Sequence, residues 1–202
     1  MQKKLSNSFY TNQDVLSISK ALLGKFLVTK LNSNTITSGM IVETEAYRGP
    51  EDKASHAYGN RRTVRTETMY CHGGCAYIYL CYGMHNLFNI VTAIKDIPHA
   101  VLIRAIEPID GIPVMLKRRH LTNICPNLTA GPGSLTKALG ITVEHDKMDL
   151  CGEKIWLEDR GIKISASQIE TGPRVGIAYA KEHAKLPWRF KIKTNPWVSK
   201  AK

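Results

Sequence analysis

Acidic side chains are scarce in this sequence. Its 202 residues carry 17 Asp and Glu against 28 Lys and Arg, giving a net charge of +11 and a pI near 9.5. That imbalance favours a polyanionic partner, nucleic acid first and an anionic membrane surface second. A long apolar run is also missing. Thr68 to Ile94 has no Asp, Glu, Lys or Arg and is long enough to span a bilayer. However, His72, His85, Asn86, Asn89 and the glycines at 73, 74 and 83 keep it short of the roughly twenty apolar residues a spanning helix needs. No membrane segment is expected. The opening MQKKLSNSFY lacks the apolar core of a secretory signal, and the five cysteines are odd in number and scattered over positions 71, 75, 81, 125 and 151. They read as reduced thiols of an intracellular protein, one that in a bacterium shares the cytoplasm with the nucleoid. No repeat, low-complexity tract or Ser/Pro-rich linker divides the chain. With 43% hydrophobic content, residues 1–202 are expected to form one domain with a sizeable core.

Several catalytic signatures are absent as well. There is no GxSxG elbow, no dinucleotide fingerprint, no Walker loop, and no cysteine with a convincing histidine partner. Cys71-His72-x-x-Cys75 and Cys81 bring soft ligands close together. Their spacing is irregular and no second CxxC pair completes a tetrahedral set, so neither a metal nor another cofactor is expected.

The stretch that stands out is Ile41 to Tyr58, IVETEAYRGPEDKASHAY. It opens as a strand, in which Ile41, Glu43, Glu45 and Tyr47, spaced two apart, share a face. Two carboxylates make poor core, because an unpaired buried charge costs on the order of several kcal/mol. Gly49-Pro50 then breaks the strand and starts a loop carrying Glu51, Asp52 and His56. An edge strand with one wet face is the bland alternative. Tyr47 and His56 beside the acids favour a site.

Elsewhere, Thr11 with Asp14 resembles a capping box ahead of a helix whose face is Val15, Ile18 and Leu22 and whose end is Gly24. Lys25 to Leu31 and Ile36 to Tyr47 are expected as strands joined through Asn32-Ser33-Asn34. Arg61, Arg62 and Arg65 form a basic cluster, either a solvated surface or a phosphate contact. AYIYLCYGMHNLFNIV, Ala76 to Val91, reads as two strands pinched at Gly83, where glycine permits a tight turn. Tyr77 and Tyr79 then share a face and Tyr82 projects from the tip, while Asn89 is an amide in apolar company that needs partners. A strand from Ala100 to Ile106 holds Arg104, which is best tolerated with Glu43 or Glu45 nearby. Lys117, Arg118, Arg119 and His120 end a helix, where cations suit the dipole, so capping is as plain a reading there as binding. Gly131-Pro132-Gly133-Ser134 is a loop into a helix whose free N–H groups suit an anion. WLED, RVGIAYA and WRFKI are expected as further strands.

Taken together, LLGKFLV, IVETEAYRGPEDKASH, AYIYLCYGM with Asn89 after it, VLIRAIEP, GPGSLTKALGI, GPRVGIAYA and LPWRFKI with NPWVS resemble the alkyladenine (methylpurine) DNA glycosylase family, in the family's order from about Leu22 to Ser199. The resemblance implies a mixed α/β (α+β) domain with a curved, mostly antiparallel sheet and flanking helices, like the C-terminal domain of formyltransferases. It implies a monofunctional enzyme that flips an alkylated or deaminated purine out of double-stranded DNA, acts as a monomer, and leaves an abasic site. It assigns Glu45 as general base for water, with Arg104 and the carbonyl of Ile177 helping to hold that water. Tyr47, His56 and Tyr79 become the walls of the base pocket, Asn89 the residue that crowds the exocyclic amine of guanine, and Tyr82 the wedge in the duplex. Glu43 receives only a supporting role. Ser134, where many members carry Lys, and His85 depart from the pattern. A non-catalytic nucleic-acid-binding module, with the aromatics stacking on bases and the acids structural, is the alternative from another class. A zinc hydrolase is a third.

Overall fold

The computed structural model describes residues 3–32 and 35–200. Strand β3, Thr35–Arg48, is the spine. One of its edges is occupied by β6, His99–Asp110, and the other is shared between β2, Phe26–Asn32, and β9, Arg189–Ile192. Beyond β6 lie β5, His85–Thr92, and β4, Ala76–Cys81, which form a hairpin. Beyond β2 lie β7, Ile155–Asp159, and the two-residue β1, Lys3–Lys4. The ninth strand, β8, Ile169–Gly172, pairs with β9. Every one of these pairings is antiparallel. With flanking helices the fold is mixed α/β, as expected from the sequence.

Among the described residues, four α-helices accompany the sheet: α1, Asn7–Tyr10; α2, Val15–Ala21; α3, Ile112–Arg119; and α4, Pro132–Leu139. The expected face of α2 is buried, with Val15, Ile18 and Leu22 at most 2% exposed. They join Leu135 and Leu139 of α4 and the inward residues of β3, β5 and β6 in the main core. No described helix is long and apolar enough to cross a membrane.

Some expectations need correction. The N-cap of α2 is Asp14 alone, whose carboxylate accepts from the N–H groups of Leu16 and Ser17; Thr11 instead closes α1. An ionised carboxylate at that position meets both the orphan donors and the helix dipole. The connection between β2 and β3 was placed at Asn32-Ser33-Asn34, of which Ser33 and Asn34 lie outside the described residues. Strand β6 runs past Pro108 to Asp110, accommodating the missing N–H with a register shift opposite Ser38 and Gly39. Gly131 is already the cap of α4 and Pro132 its first residue, where a missing N–H costs nothing. RVGIAYA forms no strand. Residues 174–177 are a loop and Ala178–Lys185 a 3₁₀ segment, with Gly176 at φ 73° and Lys181 at φ 53° breaking any extended run.

Candidate active site

Strand alternation does not carry evenly through β3. Register shifts fall on either side of Glu43, between Ile41 and Glu43 and between Glu43 and Thr44. Such bulges re-aim side chains beside sites. Ile41 belongs to the apolar core, whereas Glu43 and Glu45, both fully buried, meet Arg104 across the β3–β6 pair. Arg104 donates from Nε to Glu43 Oε1 at 3.0 Å, and its Nη1 lies 3.3 Å from Glu45 Oε1. Glu43 is then saturated: Arg189 Nε donates to it at 2.7 Å, the Ser199 N–H at 2.7 Å and the Ser199 hydroxyl at 2.9 Å. Two arginines thus answer two carboxylates in a dry setting, where an unanswered charge would cost roughly 3–5 kcal/mol. Glu45 has fewer partners. Its Oε1 accepts from the Val175 N–H at 2.8 Å and its Oε2 from the Tyr47 hydroxyl at 2.8 Å.

Beside this pair opens a cavity of about 610 Å³, lined by Tyr47, His56, Tyr79, Asn89, Arg104 and Ile177 among others. Glu45 sits behind the wall, reached through Tyr47 and Arg104. Burial, with the Glu45 carboxylate next to it, pushes the Tyr47 phenol well above its ordinary range, so it donates to Glu45 as a neutral hydroxyl. His56 packs edge-on against Tyr79, ring centroids 4.6 Å apart, and its Nδ1 is 2.8 Å from the Tyr77 hydroxyl. Burial and the nearby charges of Arg65 and Arg61 lower the His56 pKa to about 4, leaving the imidazole neutral at physiological pH. Asn89 donates from Nδ2 to the carbonyls of Tyr77, 3.1 Å, and Leu87, 3.3 Å, which fixes the amide in the cavity wall. The Ile177 carbonyl accepts from the Ala180 N–H at 2.9 Å and retains one lone pair.

Tyr82 stands at the cavity mouth, 83% exposed, on the tip of the β4–β5 hairpin. Tyr82 and Gly83 both have positive φ, 51° and 68°, and the Met84 N–H donates to the Cys81 carbonyl at 3.1 Å. The left-handed pair Tyr82-Gly83 turns the chain within a three-residue connection between the paired Cys81 and His85. Glycine suits that conformation and a bulky aromatic does not, and strain of this kind clusters at working positions. His85 and Ser134 both line the mouth. The His85 ring packs on Gly133, where a Cβ would lie 2.8 Å from its Nδ1, and Ser134 Oγ accepts from Arg119 at 3.2 Å.

Sequence reasoning missed the loop that completes this arrangement. Arg174 and Asp52 form a buried ion pair between Nη1 and Oδ2, with a second bond from Nη2 to Oδ1 at 2.8 Å. The guanidinium lies over the rings of Tyr47, 4.7 Å, and Trp188, 5.1 Å, and donates to the Ala46 carbonyl at 2.9 Å. It places the following residue, Val175, so that its N–H meets Glu45. A lone Arg before an apolar run was the available signal. The expectation that RVGIAYA is a strand concealed it. Tyr77, expected only to share a face with Tyr79, also contributes a hydroxyl that orients His56. Among the described residues, no three His, Cys, Asp or Glu gather as a metal site would require.

A family model described as methylpurine-DNA glycosylase (MPG) matches residues 8–196. A Chlamydia felis protein named "Putative 3-methyladenine DNA glycosylase" is 52% identical over 187 residues, covering 92% of this chain and 94% of that protein. Proteins of the same name from Chlamydia pneumoniae and Bacillus cereus are 48% and 47% identical. They cover 92% and 96% of this chain and 93% and 97% of their own lengths.

Proposed function

The chain belongs to the methylpurine-DNA glycosylase family, hydrolases that act on N-glycosyl bonds in DNA, and on that premise we propose how its cavity works. A damaged purine leaves the duplex, Tyr82 fills the space it vacates, and the base docks between Tyr47, His56 and Tyr79. Unstacking costs a few kcal/mol, least where damage weakens pairing. An alkylated purine is cationic, so aromatic faces favour it over a normal base, and a neutral His56 does not repel it. Asn89, held rigidly by two carbonyls, crowds the exocyclic amine that marks guanine.

As the bond from C1′ to the base nitrogen lengthens, its electron pair leaves with the base and the sugar gains oxocarbenium character. Water oxygen then bonds to C1′ and its proton passes to Glu45, with Arg104 and the Ile177 carbonyl holding that water. Glu45 has no exposed surface and meets the cavity through Tyr47 and Arg104. No lysine is among the described residues lining the cavity. Nothing there supplies a Schiff base, and the product is an intact strand with an abasic site.

The observation that carries this reading is a buried carboxylate, Glu45, bonded to Tyr47 of an aromatic-walled cavity. Its test is Glu45→Gln, which should keep binding to a lesion duplex and lower single-turnover base release by roughly 10²- to 10⁴-fold, the usual worth of a general base. Near-normal excision would unseat Glu45 and move suspicion to Glu43. A module that only binds would release no base in wild type.

A further inference from the structure

At the C-terminal ends of α3 and α4 lies a second cavity, of about 680 Å³, lined by Thr35, Val114, Lys117, Arg118, His120, Lys137 and Gly140, with no carboxylate among them. Arg118 is half-buried there, and burial lowers its pKa. Its Nη1 donates to two neutral acceptors, the Ala138 carbonyl at 3.0 Å and Thr37 Oγ1 at 3.4 Å. Four of the five other half-buried or buried arginines among the described residues are paired. Arg104, Arg160, Arg174 and Arg189 each pair with at least one carboxylate. Among the described residues only Arg118 and its neighbour Arg119 are withdrawn from solvent without one.

A partly desolvated guanidinium without a counter-charge is costly unless an anion arrives. This one is also held in position. Gly140 sits beneath it with φ 76°, and a Cβ there would come within 2.9 Å of the Arg118 Cζ. The exposed Lys117 and Lys137 flank the opening.

We infer that this cavity is a second anion site that takes backbone phosphates of the DNA flanking the damaged nucleotide. The inference rests on the family's DNA substrate and not on the role of Glu45. Helix α4 links the two places: its first residues line the base cavity, and Lys137 and Gly140 at its other end line this one. Eight residues of helix span about 12 Å at 1.5 Å each. That distance corresponds to about three phosphate steps along one strand, at roughly 3.4 Å of duplex axis each. Arg119 lies between, bonded to Ser134 at the mouth.

The test uses an undamaged duplex of about 25 base pairs, so that base release plays no part, and fluorescence anisotropy across a salt series. Removing two phosphate contacts with Lys117→Ala/Lys137→Ala should flatten the slope of log affinity against log salt by roughly 2 and weaken binding at least tenfold near 0.1 M salt. A control, Lys3→Ala/Lys163→Ala, removes the same charge from exposed positions elsewhere and should leave the slope unchanged. Equal losses in both pairs would mean that net charge acts and not this cavity, which overturns the site. Calorimetric titration with inorganic phosphate separates the sources. An unchanged DNA slope, with phosphate binding lost only in the Lys117/Lys137 variant, would assign the cavity to free phosphate and refute the DNA assignment. An unchanged slope with no phosphate binding would leave Arg118 as a cap of α4 and nothing more.

Discussion

Replacing Asp52 with Ala should destabilise the protein and slow base release together. Asp52 is fully buried and accepts two bonds from Arg174, and its Oδ1 also accepts from the Ala54 N–H at 3.0 Å. Truncation leaves the guanidinium buried, with the Ala46 and His183 carbonyls and two aromatic rings for company. Those contacts exist in wild type as well and cancel in the comparison, so the loss is that of a buried pair broken on one side, about 3–5 kcal/mol. The orphaned Ala54 N–H places Asp52→Ala toward the upper end of that range. Asp52→Asn keeps an acceptor and should lose less, about 1.5–3 kcal/mol, the worth of a hydrogen bond to a charged group. The double variant Asp52→Ala/Arg174→Met removes both charges and should recover part of the stability, since isolated partners are worse than none. Urea unfolding monitored by tryptophan fluorescence reads these differences. Single-turnover excision reads the second consequence, loosening of the Val175 N–H that holds Glu45. A loss below about 1 kcal/mol for Asp52→Ala, or a double variant no more stable than the single, would refute the desolvation reasoning.

Tyr82→Gly should relieve positive-φ strain and raise stability by about 1 kcal/mol, while weakening excision most on well-paired lesions; an equal loss on paired and mismatched lesions would show that Tyr82 is no wedge. Asn89→Ser should raise excision of neutral guanine-derived bases relative to hypoxanthine, measured as the ratio of single-turnover rates, and an unchanged ratio would remove Asn89 from selectivity. Because the pKa of His56 is lowered from 6.5 to about 4, the unfolded chain binds a proton first as pH falls. Its contribution is therefore complete above pH 6.5 and is lost progressively toward about pH 4. His56→Gln should flatten stability across that window, and an unaltered profile would mean that the imidazole is charged in the fold.

Residues whose partners are near in sequence, or whose type is unusual for its setting, were legible in advance. Glu45 and Tyr47 are two apart on one strand and bond directly, and Arg104 in an apolar strand called for the acids it meets. Gly83 announced a turn and so the exposure of Tyr82. The closing loop was hidden because its role is played by backbone. Val175 offers an N–H, which any residue except proline supplies, and its place depends on a pair 122 residues apart, Asp52 and Arg174. The bulges around Glu43 were equally silent, since they follow from how β3 and β6 fit together and not from either strand alone.

The saturation of Glu43 also sets an order on folding. Its partners lie 61, 146 and 156 residues further along the chain. While the chain is being synthesised, Glu43 and Glu45 are available early, but only Arg104 can answer them until β9 has been made. Two negative charges against one positive resist burial, so this part of β3 cannot close over dry until Arg189 and Ser199 arrive. Ring closures of this span are slow to pay back their entropy. The nascent protein therefore completes the Glu43–Glu45 cluster near the end of its synthesis, after most of the sheet around it.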